Sequence, residues 1–481
     1  MKEHQIKLML IALTIIFFVA GTNAGAWTLE EAAAPYKGTT VHVAYMAGYP
    51  YNSIIEKIHP EFTKITGIKI EMDAVNYGEA IGKYMRELAA GSPSHDLYDT
   101  EAHAASQFAP FCEPLETFEK NPKLTDPEFN RDDIYPNLQF GMSYDNKLYA
   151  YSQLNTNAGI YYRKDLLQKY GIKEPTLDGP GEWGLDEYYE AAKKLTKDLD
   201  GDGKTDLYGT TLHGSRTGIG DEIYTWFWGA GGQLFDDKMK PYFGKGAKYH
   251  KEMVKALSTY QKLYTEGLVP PGSTDYELGE AMGVFNEGLV AMMWNWDLCS
   301  MWIDVPGAPQ YGKIGMVQTP RSDKGVLGWH RQGNKGMFIP RDGKNKEAAF
   351  LFIQWLSSYP VAYRAMKDMN HSTPFRRSIV EDPDFRNKFV SSKKLAHMGN
   401  VSSDRTPPLI PEWAEFEDIV AAPFQKCMIG TMSPEVAADA AAKGVERMLK
   451  RKGYYRKGKP FRDEDGNYPN WLTGNFESLN K

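Results

Sequence analysis

Residues 40–75, TVHVAYMAGYPYNSIIEKIHPEFTKITGIKIEMDAV, constrain the fold more than any other stretch. Val41, Val43 and Tyr45 alternate as in a strand, and Gly48 and Pro50 break the pattern. Ile54, Ile55, Ile58 and Phe62 then recur at helical spacing, and GIKIEM restores the two-residue period. Strand, helix, strand in this order is a βαβ unit. It implies an α/β fold with a parallel sheet and a ligand crevice at the C-terminal ends of the strands. GEAIGKYMRELAAG and HDLYDT repeat the theme as a second helix and a short strand.

The rhythm changes in the middle of the chain. GIYYRKDLLQKYGI and WGLDEYYEAAKKLTKDLD read as helices, as does KYHKEMVKALSTYQKLYTEGLVPPG, which is closed by Gly and two prolines. GLVAMMWNW reads as a buried strand, NKEAAFLFIQWLSS as a helix packed on one face, and SPEVAADAAAKGVERMLKRKG as a long helix behind a serine cap. Trp183, at the start of one helix, is expected to be a structural staple. No Ser/Gly-rich linker interrupts the chain, so separate lobes would be joined by strands rather than by a flexible tether.

The N-terminus carries Lys2 and Lys7 ahead of LMLIALTIIFFVAG, a run of signal-peptide length that is too short to span a bilayer. The small residues of GTNAGAW allow cleavage after Ala24 or Ala26, so residues 1–26 are expected to be a removable leader. No cysteine stands at the cleavage point, which argues against a lipoprotein and for a soluble, periplasmic product. A formal net charge of -6 and a pI near 6.0 argue against a nucleic-acid partner. Cys112, Cys299 and Cys427 lack CxxC spacing and read as buried thiols, with one disulfide left open.

DLDGDGKTDLYG places Asp198, Asp200, Asp202 and Asp206 where the first, third, fifth and ninth ligands of a calcium loop fall, with the Lys204 carbonyl at the seventh. The twelfth position is Gly209 where a calcium-binding helix–loop–helix needs glutamate. A structural calcium ion and a metal-free aspartate/glycine turn both remain open.

Several segments together resemble one family. PEFTKITGIKI, KLYAYSQLNTNAGIYYRKDLLQKYGI, EWGLDEYYEAAKKLT, DLDGDGKTDLYG, GVFNEGLVAMMWNW, IPRDGKNKEAAFLFIQWLSS and GTMSPEVAADAAAKGVERML follow one another as in the family 1 extracellular solute-binding proteins, the sugar receptors of ABC importers. The resemblance implies a two-lobed periplasmic-binding-protein fold (type II), with hinged lobes around a central ligand cleft. It places the three interlobe crossings near residues 149–152, 328–333 and 401–407. One lobe is then 27–150 plus 330–403 and the other 151–329 plus 404–481. It further implies a monomer that captures a sugar or sugar alcohol, hands it to membrane permease subunits, needs no cofactor and performs no catalysis.

Such a receptor needs aromatic faces to stack on C–H surfaces and planar polar groups to pair with vicinal hydroxyls. Matched loop by loop, the candidates are Tyr49 and Tyr51 at the tip of a loop where maltose receptors of the family carry a charged pair and this chain has Tyr49 and Pro50, followed by Thr100, Glu101 and His103. Asn155 and Asn157 lie at the first crossing, and Asp221, Tyr224 and Trp228 in the second lobe, where one of Tyr224, Trp226 and Trp228 is expected to be core. Trp296, Asp297, Trp329, Arg331, Arg376 and Trp413 complete the set, with His330 beside them. Two rivals stand beside this reading. Arg331, Arg376 and Arg377 would suit a phosphorylated polyol, and the 62 Asp plus Glu leave room for a glycoside hydrolase using paired carboxylates.

Overall fold

The computed structural model describes residues 27–47, 50–177, 181–320, 332–400 and 407–474. The alternation read in residues 40–75 becomes β1 (Thr40–Met46), α1 (Pro50–Thr66) and β2 (Lys69–Val75), followed by α2 (Tyr77–Ala89) and β3 (Leu97–Glu101). β1 runs parallel to both β2 and β3. The residues whose spacing marked the helix, Ile54, Ile55, Ile58 and Phe62, are buried against Val41 and Val43 of the sheet.

The next strand of this sheet, β4 (Leu154–Arg163), is buried along its whole length. It corrects the helix expected over GIYYRKDLLQKYGI, where only Lys164–Lys169 is helical. An apolar run buried on both faces has no period to reveal its type, and tyrosines in succession suit a strand. Further along come α3 (Leu185–Leu195), α4 (Ile219–Gly229), α5 (His250–Thr265), α6 (Leu278–Glu287), β5 (Met292–Trp296), β6 (Ile314–Gln318) and β7 (Gln332–Phe338). α7 (Lys346–Leu356), α8 (Val390–Asn400), α9 (Trp413–Met428) and α10 (Pro434–Arg451) follow. Ser433 caps α10, its hydroxyl accepting from the Val436 amide.

The strands named above form one sheet in the order β2-β1-β3-β7-β4-β5, with β6 also paired to β4, and a separate two-stranded hairpin pairs Ser143–Tyr144 with Lys147–Leu148. β7 is antiparallel to β3 and carries the sheet from the first lobe toward the second. Within β4 the partners change: Leu154–Asn157 pair with β7, whereas Ala158–Arg163 pair with β5 and β6. The handover at Asn157 and Ala158 lies a few residues downstream of the crossing expected at 149–152. The other two expected crossings fall largely outside the described residues.

Two large hydrophobic cores flank this strand, as a type II two-lobed α/β protein requires, with a smaller cluster around Tyr161, Phe285 and Met293 beside them. One holds β1–β3 and α7, with Phe350 stacked on Phe118. The other gathers α3, α4, α5, α9 and α10 around Trp226, Trp228, Trp294 and Trp413. Trp183 packs in that second core, in the structural place expected of it. Cys112, Cys299 and Cys427 are unpaired and buried.

Candidate ligand-binding cleft

A cleft of about 370 Å³ opens between the two cores. One wall comes from the end of β1, the β3 exit and β7; the other comes from residues 213–221, the start of α6 and the segment after β5. Strand ends and helix starts meet here because the sheet delivers chain ends to one edge, as expected for an α/β crevice.

Four candidates named from sequence line this cleft: Glu101, His103, Asp221 and Trp296. Glu101 accepts from or pairs with His103 Nδ1 at 2.9 Å, and both side chains are largely buried. Asp221 begins α4 on the opposite wall. Trp296, the last residue of β5, packs over Gly333 of the facing lobe. A Cβ at Gly333 would lie 3.5 Å from the indole and 2.4 Å from Thr156 Cγ2, so the backbone approach there depends on glycine.

The remaining described candidates lie elsewhere. Tyr51 is a core residue of the first lobe, its ring 4.6 Å from that of His371, because it faces inward on α1. Thr100 is fully buried within β3, opposite Gly336. Asn155 and Asn157 have the wrong parity: strand side chains alternate, and Leu154 and Thr156 take the cleft face. Asn157 Nδ2 donates instead to Asn155 Oδ1 at 3.1 Å. Tyr224 and Trp228, with Trp226, are buried in the second core, since α4 is apolar around nearly its whole circumference. Trp413 stacks on Phe416 in the same core at 4.7 Å.

Asp297 and Arg376 are structural as well. Asp297 is fully buried; its Oδ1 accepts from Thr156 Oγ1 at 2.8 Å and the Asn157 amide at 3.0 Å, and its Oδ2 lies 3.3 Å from Lys394 Nζ. Arg376 donates to the carbonyls of Ser357, Asn130 and Phe129 and to Asp133, which occupies the guanidinium, and it is not among the cleft-lining residues. Tyr49, Trp329, His330 and Arg331 lie outside the described residues.

The sequence reading missed His213, Glu277, Trp302, Asn334 and Lys335, all of which line the cleft. Lys335 sits in the strand QGNKGMF, whose residues 334–338 are buried, and a buried lysine requires a partner. That partner is Asp99 at 2.5 Å, with Asn52 accepting from Lys335 Nζ at 3.2 Å. Burial pushes Asp99 up and Lys335 down, and their mutual contact opposes both shifts. Glu277 is held by Ser215 Oγ at 2.9 Å and by Thr217 Oγ1. Asn334 bridges Ser152 Oγ and the Leu138 carbonyl, bracing the cleft floor.

Away from the cleft, the carboxylates of Asp198, Asp200 and Asp206 converge to within 4.8 Å, all exposed. Asp202 departs from the expected ligand set, its carboxylate lying 3.3 Å from Lys204 Nζ. The Gly203 and Gly201 amides donate to Asp198 and hold its carboxyl below the usual range. Both glycines have positive φ, 81° at Gly201 and 87° at Gly203, which lets the loop fold onto its first aspartate.

Comparison with known proteins agrees with this architecture. An ABC-transporter solute-binding protein from Agrobacterium radiobacter K84, solved with ribitol, superposes with a TM-score of 0.72 at 26% identity, covering 86% of this chain and 99% of that one. The mannitol-binding protein of Pseudomonas aeruginosa is 26% identical over 68% of this chain and 75% of its own length. A Sinorhizobium fredii protein named "Probable amino-acid ABC transporter periplasmic-binding protein" is 23% identical over 95% of this chain and 100% of its own. The family described as bacterial extracellular solute-binding protein matches residues 47–362. With a sheet shared by two lobes and a polar, indole-lined cleft at the crossing, this chain belongs to the bacterial extracellular solute-binding proteins.

Proposed function

We propose that this protein is an exported, monomeric receptor that traps a sugar alcohol or small sugar between its lobes and passes it unaltered to the membrane subunits of an ABC importer. One observation carries the reading: the indole of Trp296 lines the same cleft as a carboxylate–imidazole pair, Glu101 and His103. An indole face suits a C–H surface, and planar polar tips suit vicinal hydroxyls. Relatives that bind ribitol and mannitol support the polyol class. The amino-acid relative makes a zwitterion the alternative to exclude.

The test is a panel of ribitol, D-mannitol, mono- and disaccharides and amino acids, followed by tryptophan emission and melting temperature. A polyol or sugar should shift the emission and raise the melting temperature by mass action, with no product formed on long incubation. A response confined to amino acids, or turnover of a glycan, overturns the proposal. Trp296→Ala should weaken the best ligand by about 1–3 kcal/mol, roughly 5- to 150-fold, with the melting temperature nearly unchanged.

The aspartate-rich loop enters the same proposal as a structural calcium site built on Asp198, Asp200 and Asp206. Calcium added to chelator-treated protein should raise the melting temperature, and Asp198→Asn should remove that rise. No change on adding calcium leaves the loop a metal-free turn.

A further inference from the structure

Behind the second-lobe wall of the cleft lies a buried hydrogen-bonded chain that ligand contact alone does not account for. Glu222 sits on α4 next to the cleft residue Asp221 and is fully buried. Its Oε2 accepts from the amide of His213, another cleft residue, at 2.9 Å. Tyr260 Oη on α5 stands 3.1 Å from the same oxygen and 2.9 Å from the His213 carbonyl. A phenol has one proton, and two acceptors compete for it. With an ionised carboxylate, one of those two contacts is an unmediated oxygen–oxygen approach. With a proton on Glu222, both contacts become hydrogen bonds: Glu222 donates to Tyr260, and Tyr260 donates to the His213 carbonyl.

We propose that Glu222 is a positioning residue that works as a neutral carboxylic acid, its proton completing a Glu222–Tyr260–His213 chain that holds the second-lobe wall in its ligand-binding position. The inference rests on the reading of the cleft as a solute trap. The titratable groups facing Glu222 are His213 from the wall segment, Tyr260 from α5 and Tyr188 from α3. None supplies a cation near neutrality. Burial lowers the His213 imidazole to about 3, and burial raises both phenols. Burial likewise pushes Glu222 up to about 8, against the opposing pull of the His213 amide and the Tyr260 hydroxyl.

The wall is linked to the cleft surface by packed rings. The His213 ring meets Trp294 edge-on at 4.8 Å, and Trp294 meets Trp296 at 5.8 Å. Loss of the Glu222 proton therefore strains a segment that touches both the cleft and its indole. Affinity should fall as the pH rises through about 8.

Glu222→Gln is the informative variant because it does not titrate: its amide keeps one hydrogen-bond pattern toward Tyr260 at every pH, although a nitrogen there cannot accept from the His213 amide as Oε2 does. With D-mannitol and ribitol as probes, wild-type affinity should fall by up to about tenfold per pH unit above the transition, while Glu222→Gln stays within about twofold. The infrared difference between wild type and variant at pH 7 should show the carbonyl stretch of a protonated carboxyl. Independently of any ligand, hydrogen exchange of the 210–214 backbone should accelerate above pH 8 more in wild type than in Glu222→Gln. A missing carboxyl band, or matching pH profiles of exchange in the two proteins, overturns the clamp whether or not a probe binds. If neither polyol binds while the band and the exchange difference are present, the clamp stands and the polyol reading of the cleft fails.

Discussion

Replacing Lys394 by methionine should destabilise the folded protein by about 3–5 kcal/mol, the cost of leaving a buried charge without its partner. Lys394 reaches from α8 into the strand handover, donating to the carbonyls of Asn157 at 3.0 Å and Ala158 at 3.1 Å while pairing with Asp297. Both side chains are fully buried. Burial raises Asp297 and lowers Lys394, so each depends on the other to stay charged. Methionine keeps the apolar stem, which isolates the charge from the packing. In the single variant Asp297 either remains ionised and unpaired or takes up a proton, and in both cases the Asn157 and Ala158 carbonyls lose their donor. Equilibrium denaturation measures the loss. The double variant Lys394→Met, Asp297→Asn should recover much of it, because the orphaned charge is then gone. Equal stability of the single variant and wild type would show that the pair contributes nothing at this junction.

The second large effect distinguishes core tryptophans from the cleft one. Trp413→Ala should cost about 3–5 kcal/mol of stability through cavity formation and leave affinity for the chosen ligand within about twofold. Trp413 is fully buried, stacked on Phe416 at 4.7 Å and 5.9 Å from the Tyr224 ring, with no place among the cleft-lining residues. Trp296→Ala should do the reverse. If Trp413→Ala abolished binding at unchanged melting temperature, the assignment of Trp413 to the second core would be wrong.

The division between these tryptophans shows where the sequence could be read and where it could not. The first βαβ unit was legible because its periods are clean: a two-residue alternation beside Ile54, Ile58 and Phe62 at helical spacing, each set buried on one side. The helix around Tyr224, Trp226 and Trp228 could not be resolved into faces, since an element buried on all sides has no exposed residues to give it phase. Asn155 and Asn157, expected at the first crossing, lie in a buried strand, but parity decides which of its residues meet the cleft, and parity depends on register with β7. Glu101, His103, Asp221 and Trp296 were reachable because loops after strands and starts of helices converge on an α/β crevice. His213 and Glu277 gave no such signal, as their meaning depends on partners distant in the chain, Tyr260 and Ser215 among them.

The sheet order has a further consequence for how the chain acquires its shape. β3 has β1 on one side but finds its second neighbour only in β7, where Glu101 aligns with Lys335, and β4 cannot complete its pairing until β5 through β7 have emerged. Pairings this remote make assembly slow. Until β7 arrives, the apolar strands of the two lobes lack the partner they share, so the nascent chain stays open to competing pairings for longer than one built from neighbouring hairpins.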